Sequence, residues 1–411
     1  MRKPKAFDPA ACRAEFPLLA DPPGGKPIHY LDSAATAQTP TAVLRAVRRH
    51  ETMSRANVLR GVYFLAEAAT NAYEGARQAV ADYLGVADAA EVIFTGGTTA
   101  SINLLAHSFG NGLAAGDEIL LSELEHHSNI VPWQMLAERR GVVLKVLPVT
   151  EEGRLDLDRL DGVLTRRCKL VALTHASNVT GAVTDVGRVL EAARSVGAKI
   201  MLDGAQRAPH GPLDLPALGV DFYAFSSHKL YGPTGVGVLW GRRALLEAMP
   251  PFMGGGGMIE RVSFAGTTYA GIPRRFEAGT PPIAEAIGLG AAVDWAKDLD
   301  WAGATAHEMR LAGRILDGLG AIKGARVLGP AGLQNRLGVI SFAIDGLHPH
   351  DICQWLDRRN VALRGGHHCA QPLMERFGLA GTARASLAPY NTDADVDALL
   401  AGLDEAAAKF A

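Results

Sequence analysis

Cysteine is scarce: four residues in 411, at positions 12, 168, 353 and 369, with no CxxC pair among them. That excludes a disulfide framework and gives no support to a paired-cysteine zinc motif. An excess of one charge is also lacking, since 41 Lys and Arg face 43 Asp and Glu without a long run of either sign. A nucleic-acid partner is therefore not expected. No uncharged apolar stretch reaches the ~18 residues of a membrane helix, and Met1-Arg2-Lys3 meets Asp8 rather than an apolar signal core. The reading is a cytoplasmic protein with no membrane contact. Gly 46 and Pro 22 stay below the share, roughly 25–30%, that marks low-complexity disorder. At roughly 150 residues per domain, the length suits two or three domains.

From residue 91 onward, short β-branched or apolar runs alternate with helix-period segments, the pattern of an α/β domain with a mainly parallel sheet. Seven strands are expected at 91–94, 118–121, 142–147, 169–174, 199–202, 222–225 and 236–240, with helical segments at 128–140, 156–166 and 184–196, forming a three-layer sandwich. After Gly254–Gly257 and Pro281-Pro282 the pattern shifts to a long Ala-rich helix over about 283–317, then strands at 338–344, 361–364 and 383–387. This predicts a large domain over 26–288 and a smaller α+β domain from 1–25 and 289–411, with the first 25 residues irregular.

Ligands of an open parallel sheet bind beyond the carboxyl ends of its strands. After 91–94 stands Thr95-Gly96-Gly97-Thr98-Thr99, then a helix, which fits either an anion cradle with two hydroxyl donors or an ordinary helix cap; no Walker lysine follows. Asp203 ends the strand KIML and fits a rim carboxylate or a turn cap. Ser226-Ser227-His228-Lys229 follows the next strand, so Lys229 is either a desolvated, imine-forming amine or a surface lysine. The strand 118–121 leads to Glu125-His126-His127-Ser128, with Ser128 a candidate cap and the two imidazoles directed to opposite sides, one to a pocket and the other packed or solvated. The Gly-linked Arg364-Gly365-Gly366-His367-His368-Cys369 sets a thiol beside imidazoles just before a helix, which suits a thiolate nucleophile; a His/His/Cys metal site is the competing reading. Cys12, Cys168 and Cys353 stand in apolar or helical contexts and read as inert packing residues. Pyridoxal phosphate would use a lysine, an acid partner for its ring nitrogen and a phosphate cradle together.

These motifs, with LDSAATAQTP (31–40), LTHASNVTGA, RFEAGTP (275–281), RLGVISF and RASLAPYNT, run in order along nearly the whole chain. In them the sequence resembles the class V aminotransferase-like pyridoxal-phosphate enzymes of fold type I, and among those the SufS-like (group II) cysteine desulfurases. The resemblance implies Lys229 as the Schiff-base lysine, Asp203 as partner of the ring nitrogen, Gln206 near the ring hydroxyl and His126 stacked on the ring. Thr98, Thr99, Ser226 and His228 would hold the phosphate, joined by Thr280 from a partner subunit of a homodimer. Asn178 would lie near ring and substrate, Arg384 and Arg364 would bind substrate, with Arg384 on its carboxylate, and Cys369 would accept sulfur. The implied reaction turns L-cysteine into L-alanine and leaves a persulfide for a SufE-like or SufU-like acceptor and a Suf scaffold in iron–sulfur cluster assembly. L-selenocysteine as substrate, or an aminotransferase or epimerase reaction, is the alternative. One departure stands out: Leu59 occupies the place of the family's usual histidine before Arg60-Gly61.

Overall fold

The computed structural model describes residues 6–410. Its centre is a seven-stranded sheet of β1 (Val92–Thr95), β2 (Glu118–Ser122), β3 (Val143–Leu147), β4 (Cys168–Thr174), β5 (Lys199–Asp203), β6 (Phe222–Ser226) and β7 (Gly237–Gly241). The order is β1-β7-β6-β5-β4-β2-β3. Only β7 runs against its neighbours, so every other strand ends at one edge of the sheet. All seven expected strands are present, within a residue or two. Every residue of β6 and β7, and all but one of β4, is buried. A strand covered on both faces has no polar side to show, so its sequence is a continuous apolar run. Alternate residues feed two cores: Val171, Leu173 and Phe225 one face, Leu170, Ala172 and Phe222 the other.

Two exposed strands, β8 (Ile259–Ser263) and β9 (Gly266–Tyr269), form a hairpin that the sequence reading did not anticipate. A second sheet, β10 (Ala325–Leu328), β11 (Val339–Ile344), β12 (Arg364–Gly366) and β13 (Thr382–Ser386), is antiparallel in the order β10-β11-β13-β12. It has its own core around Leu311, Phe342, Leu356 and Leu399. The run expected at 361–364 is divided between Val361–Ala362, which pairs in parallel with His29–Tyr30, and β12.

Three expectations are corrected. The helix expected over 283–317 is two, Ile283–Lys297 and Trp301–Ala321, because the Asp300 carboxylate accepts the Gly303 N–H and starts a new helix. Residue 288 lies inside the first of these, which packs closely on Phe64–Tyr83: a Cβ on Gly290 would stand 2.6 Å from that of Ala76. Ser128 caps no helix; Val131–Arg140 begins after Ile130, and Ser128 lies in a preceding 3₁₀ turn. Finally, the N-terminal segment is not irregular throughout. It contains short helices at Pro9–Ala14 and Pro17–Ala20, and Phe16 packs edge-on against Tyr231, Trp295 and Tyr390. No helix among the described residues is long and apolar enough to cross a membrane.

Candidate active site

One cavity of about 300 Å³ opens at the sheet edge where β1, β2, β4, β5 and β6 end. Asp203, the last residue of β5, is buried there and accepts the Ala205 N–H at 2.9 Å. Burial raises its pKa, opposed by that hydrogen bond and by the charge of Lys229. Lys229 follows β6 in a single 3₁₀ turn. Burial lowers its pKa while Asp203 opposes the shift, and no ion pair holds its amine among the described residues. His126 follows β2. Its pKa is pushed down to about 3 by burial and by Lys229, so the ring is neutral; its Nδ1 accepts the Ser128 N–H at 3.1 Å, which leaves the proton on Nε2. Gln206 is fixed by donating to the Ala34 carbonyl at 2.9 Å.

At the neighbouring rim Gly97, at φ 136°, starts the helix Thr98–Ser108. A Cβ there would stand 3.3 Å from the Ser226 hydroxyl. Ser226 Oγ accepts the Thr98 N–H at 2.8 Å and lies 2.7 Å from its hydroxyl. Thr99 and Ser128 pair through their hydroxyls at 2.6 Å. His228 Nδ1 lies 3.2 Å from Thr36 Oγ1, its pKa pushed down to about 4 by burial and by Lys229. Hydroxyls, imidazole and helix N-terminus thus gather at one end of the cavity. Thr280 is not with them. It lines a separate hollow with Thr95 and Gly96, on a segment tied to β1 by Glu277, which pairs with buried Arg77 and accepts the Phe94 N–H at 2.7 Å.

The opposite wall comes from the second sheet. Arg384 on β13 is buried, donating to the Asn178 carbonyl at 3.0 Å and pairing with Asp32 at 3.2 Å, while its Nε has no hydrogen-bond partner. Burial lowers its pKa, against which Asp32 acts. Arg364, opposite Arg384 in the strand pairing, is exposed and bonds the other oxygen of Asp32 at 3.0 Å. Asn178 donates its side-chain amide to the His368 carbonyl at 2.8 Å, so that group serves the thiol turn. Cys369 itself is exposed and lines the cavity. His367 and His368 are engaged with Cys369 N–H and with Thr382, and no metal-binding group of three or more His, Cys, Asp or Glu exists among the described residues.

The structure therefore brings all the expected site residues except Thr280 to one cavity. Sequence reasoning assigned no role to Asp32, which joins the two arginines, or to Glu125. The latter is a buried carboxyl raised to about 8 by burial, accepting from Ser122, Asn129 and Thr174 and so bracing the end of β2 to β4. His127 was read only as the ring facing away from His126. Leu59 lies outside the cavity, packed on the main core at φ 75°, with its N–H donated to Thr70.

These groups fit pyridoxal phosphate: a buried carboxylate for a ring nitrogen, an unpaired amine, and an anion cradle that a Cβ at residue 97 would crowd. Residues 29–399 match the aminotransferase class-V family, and the chain belongs to it. It is 46% identical over 397 residues to a probable cysteine desulfurase of Vibrio cholerae, covering 96% of this chain and 98% of that protein. The crystal structure of the Escherichia coli cysteine desulfurase CsdA superposes with a TM-score of 0.92 at 43% identity, over 99% of this chain and all of that one. A variant of C-DES carrying glycine covalently linked to its PLP cofactor superposes with a TM-score of 0.81 at 25% identity, over 97% of this chain and 99% of that chain.

Proposed function

We propose that the protein is a pyridoxal-phosphate-dependent L-cysteine desulfurase that releases L-alanine and retains the sulfur as a persulfide on Cys369. The observation that carries this reading is the exposed thiol of Cys369 in the same cavity as Lys229 and Asp203. Thr98, Thr99, Ser226 and His228 would hold the phosphate, Asp203 the ring nitrogen, and His126 and Gln206 the ring. When bound, the cofactor supplies an acceptor for the electron pair left as the substrate loses its α-proton. Arg384, with Arg364 beside it, would hold the substrate carboxylate, its unpartnered Nε supplying a further donor. Lys229, its proton affinity lowered by burial, is the group to take and return the α-proton. Cys369 as thiolate attacks the substrate sulfur: an S–S bond forms, the C–S bond breaks, and its electron pair stays with the carbon that becomes the methyl group of alanine.

The same reading extends to the assembly. The exposed apolar side chains of Val62 and Phe64, and of Val262 and Phe264 on the β8–β9 hairpin, suit contact with a second copy, and Thr280 stands outside its own cavity as a residue given to a partner's site would. We assign the cofactor-binding domain to the region read as 26–288, carried on to Lys297 because residue 288 lies inside the helix Ile283–Lys297, and the domain bearing Cys369 to the chain that follows. Four unpaired cysteines fit a reducing cytoplasm, where a SufE-like or SufU-like protein would take the sulfur.

The test is the visible spectrum of the purified protein before and after L-cysteine, with alanine and sulfide assayed in the same tube. A cofactor band that shifts with release of alanine is the expected result. A band that shifts without alanine moves the function to another reaction of the class, and no band after cofactor addition overturns the reading.

A further inference from the structure

Cys369 lies on a turn that the sheet does not hold. His368 and Cys369 both have positive φ, 53° and 54°, a region that costs a non-glycine residue roughly 1–2 kcal/mol. The turn persists because backbone and side-chain groups of neighbouring residues take up its polar backbone groups. Two bonds come from one residue on the opposite wall: the His127 N–H donates to the Cys369 carbonyl at 2.7 Å, and His127 Nε2 accepts the Gln371 N–H at 3.2 Å. Backbone and ring of His127 therefore grip the chain at Cys369 and two residues beyond it. His367 adds a third bond, accepting the Cys369 N–H at 3.0 Å, and its ring lies 5.5 Å from that of His127.

We propose that His127 is a positioning residue for the sulfur-accepting thiol, its ring acting as the acceptor that fixes the chain after Cys369 and so aims the thiol into the cavity. The proposal rests on the desulfurase reading. An imidazole accepts at Nε2 only while that nitrogen is unprotonated, and burial together with His367 holds the His127 pKa below its ordinary value. His126 next to it faces the other way, into the cavity, with its Nδ1 spent on Ser128. Adjacent residues thus divide the work, one at the lysine end and one at the thiol end. A thiol displaced by about 1 Å loses roughly a hundredfold in rate when the attack geometry is strict.

Two variants test this in the cofactor-loaded protein. Gln places its side-chain oxygen near the position of Nε2, whereas Ala removes the acceptor. His127→Ala is expected to speed amide exchange at Gln371 at least tenfold and to lower kcat for alanine formation at least tenfold. The cofactor spectrum and its response to L-cysteine should stay unchanged, and His127→Gln should restore both exchange and kcat to within about threefold of the parent. Wild-type exchange and kcat in His127→Ala overturn the proposal, as does a His127→Gln variant as impaired as Ala, or loss of the cofactor spectrum in either. Failure of the desulfurase reading is separable: the parent would then form no alanine, while exchange at Gln371 would still report whether His127 grips the turn.

Discussion

Lys229 stands one turn beyond β6, whose five residues are all buried and paired to β7, three of them also to β5. Cys369, across the same cavity, stands on a turn with two successive left-handed residues, held by His127, Asn178 and His367. The first position is set by a ladder that no single side chain can undo. The second is a sum of separate bonds, each worth about 1 kcal/mol net. A group that must keep a depressed pKa benefits from a dry, rigid setting. In the proposed reaction the thiol meets the substrate and then passes sulfur outward, so it has to remain exposed and forgoes the sheet.

The largest expected effect breaks the two ends apart. Lys229→Ala should remove cysteine turnover by roughly a thousandfold or more and alter the cofactor's visible spectrum, as the proposed role of binding the cofactor and moving the proton requires. Cys369→Ala should abolish cysteine-dependent protein persulfide yet leave the spectrum and its response to L-cysteine intact. Full persulfide formation by the Cys369 variant would remove the division of labour.

A smaller effect is expected at Asp32, which belongs to neither end but aligns the arginines between them. Asp32→Asn keeps the shape and removes the charge that pairs with both Arg364 and Arg384. KM for L-cysteine should rise about tenfold, equivalent to ~1.4 kcal/mol of substrate binding, with kcat within about threefold. A drop in kcat at constant KM would instead make Asp32 part of the reacting constellation.

The same contrast governs what could be read from sequence. Groups at strand ends were legible, because a buried strand announces itself as an apolar run and the residues after it fall at the ligand edge: Asp203, Ser226, Lys229 and the His126-His127 pair were found this way, and the family resemblance chose His126 from the pair. Asp32 was not, since its partners lie 332 and 352 residues further along the chain and no local pattern encodes that meeting. The role of His127 was hidden for a like reason, its contact with Gln371 spanning 244 residues. The β8–β9 hairpin left little trace because its side chains are largely exposed, so no buried face imposed an apolar alternation. In 283–321 the Ala-rich composition continues through the break, and only the capping bond of Asp300 divides it.

Acid titration offers the finest comparison of the two ends. Burial pushes His175 down to about 3 behind Asp203, where it donates its backbone N–H to the Asp203 carbonyl and its ring meets Tyr223 at 2.9 Å. Burial does the same to His368 on the thiol turn, also to about 3. Each folded-state value lies below the ordinary 6.5, so between pH 6.5 and 3 the unfolded chain binds more protons. Stability is therefore indifferent to these groups above pH 6.5 and falls as pH drops below it, by about 1 kcal/mol per histidine per pH unit while the fold stays closed. Denaturant unfolding of the cofactor-loaded protein at pH 6.5 and 5.5 should show this loss. His175→Gln should reduce the slope by close to one proton, since the sheet end admits a proton only on global unfolding. His368→Gln should reduce it by less, because a turn held by a few separate bonds opens locally and lets His368 protonate without unfolding the sheet. Equal reductions would show the thiol turn to be as rigid as the lysine end, and the contrast between ladder and clasp would then lie in construction alone and not in motion.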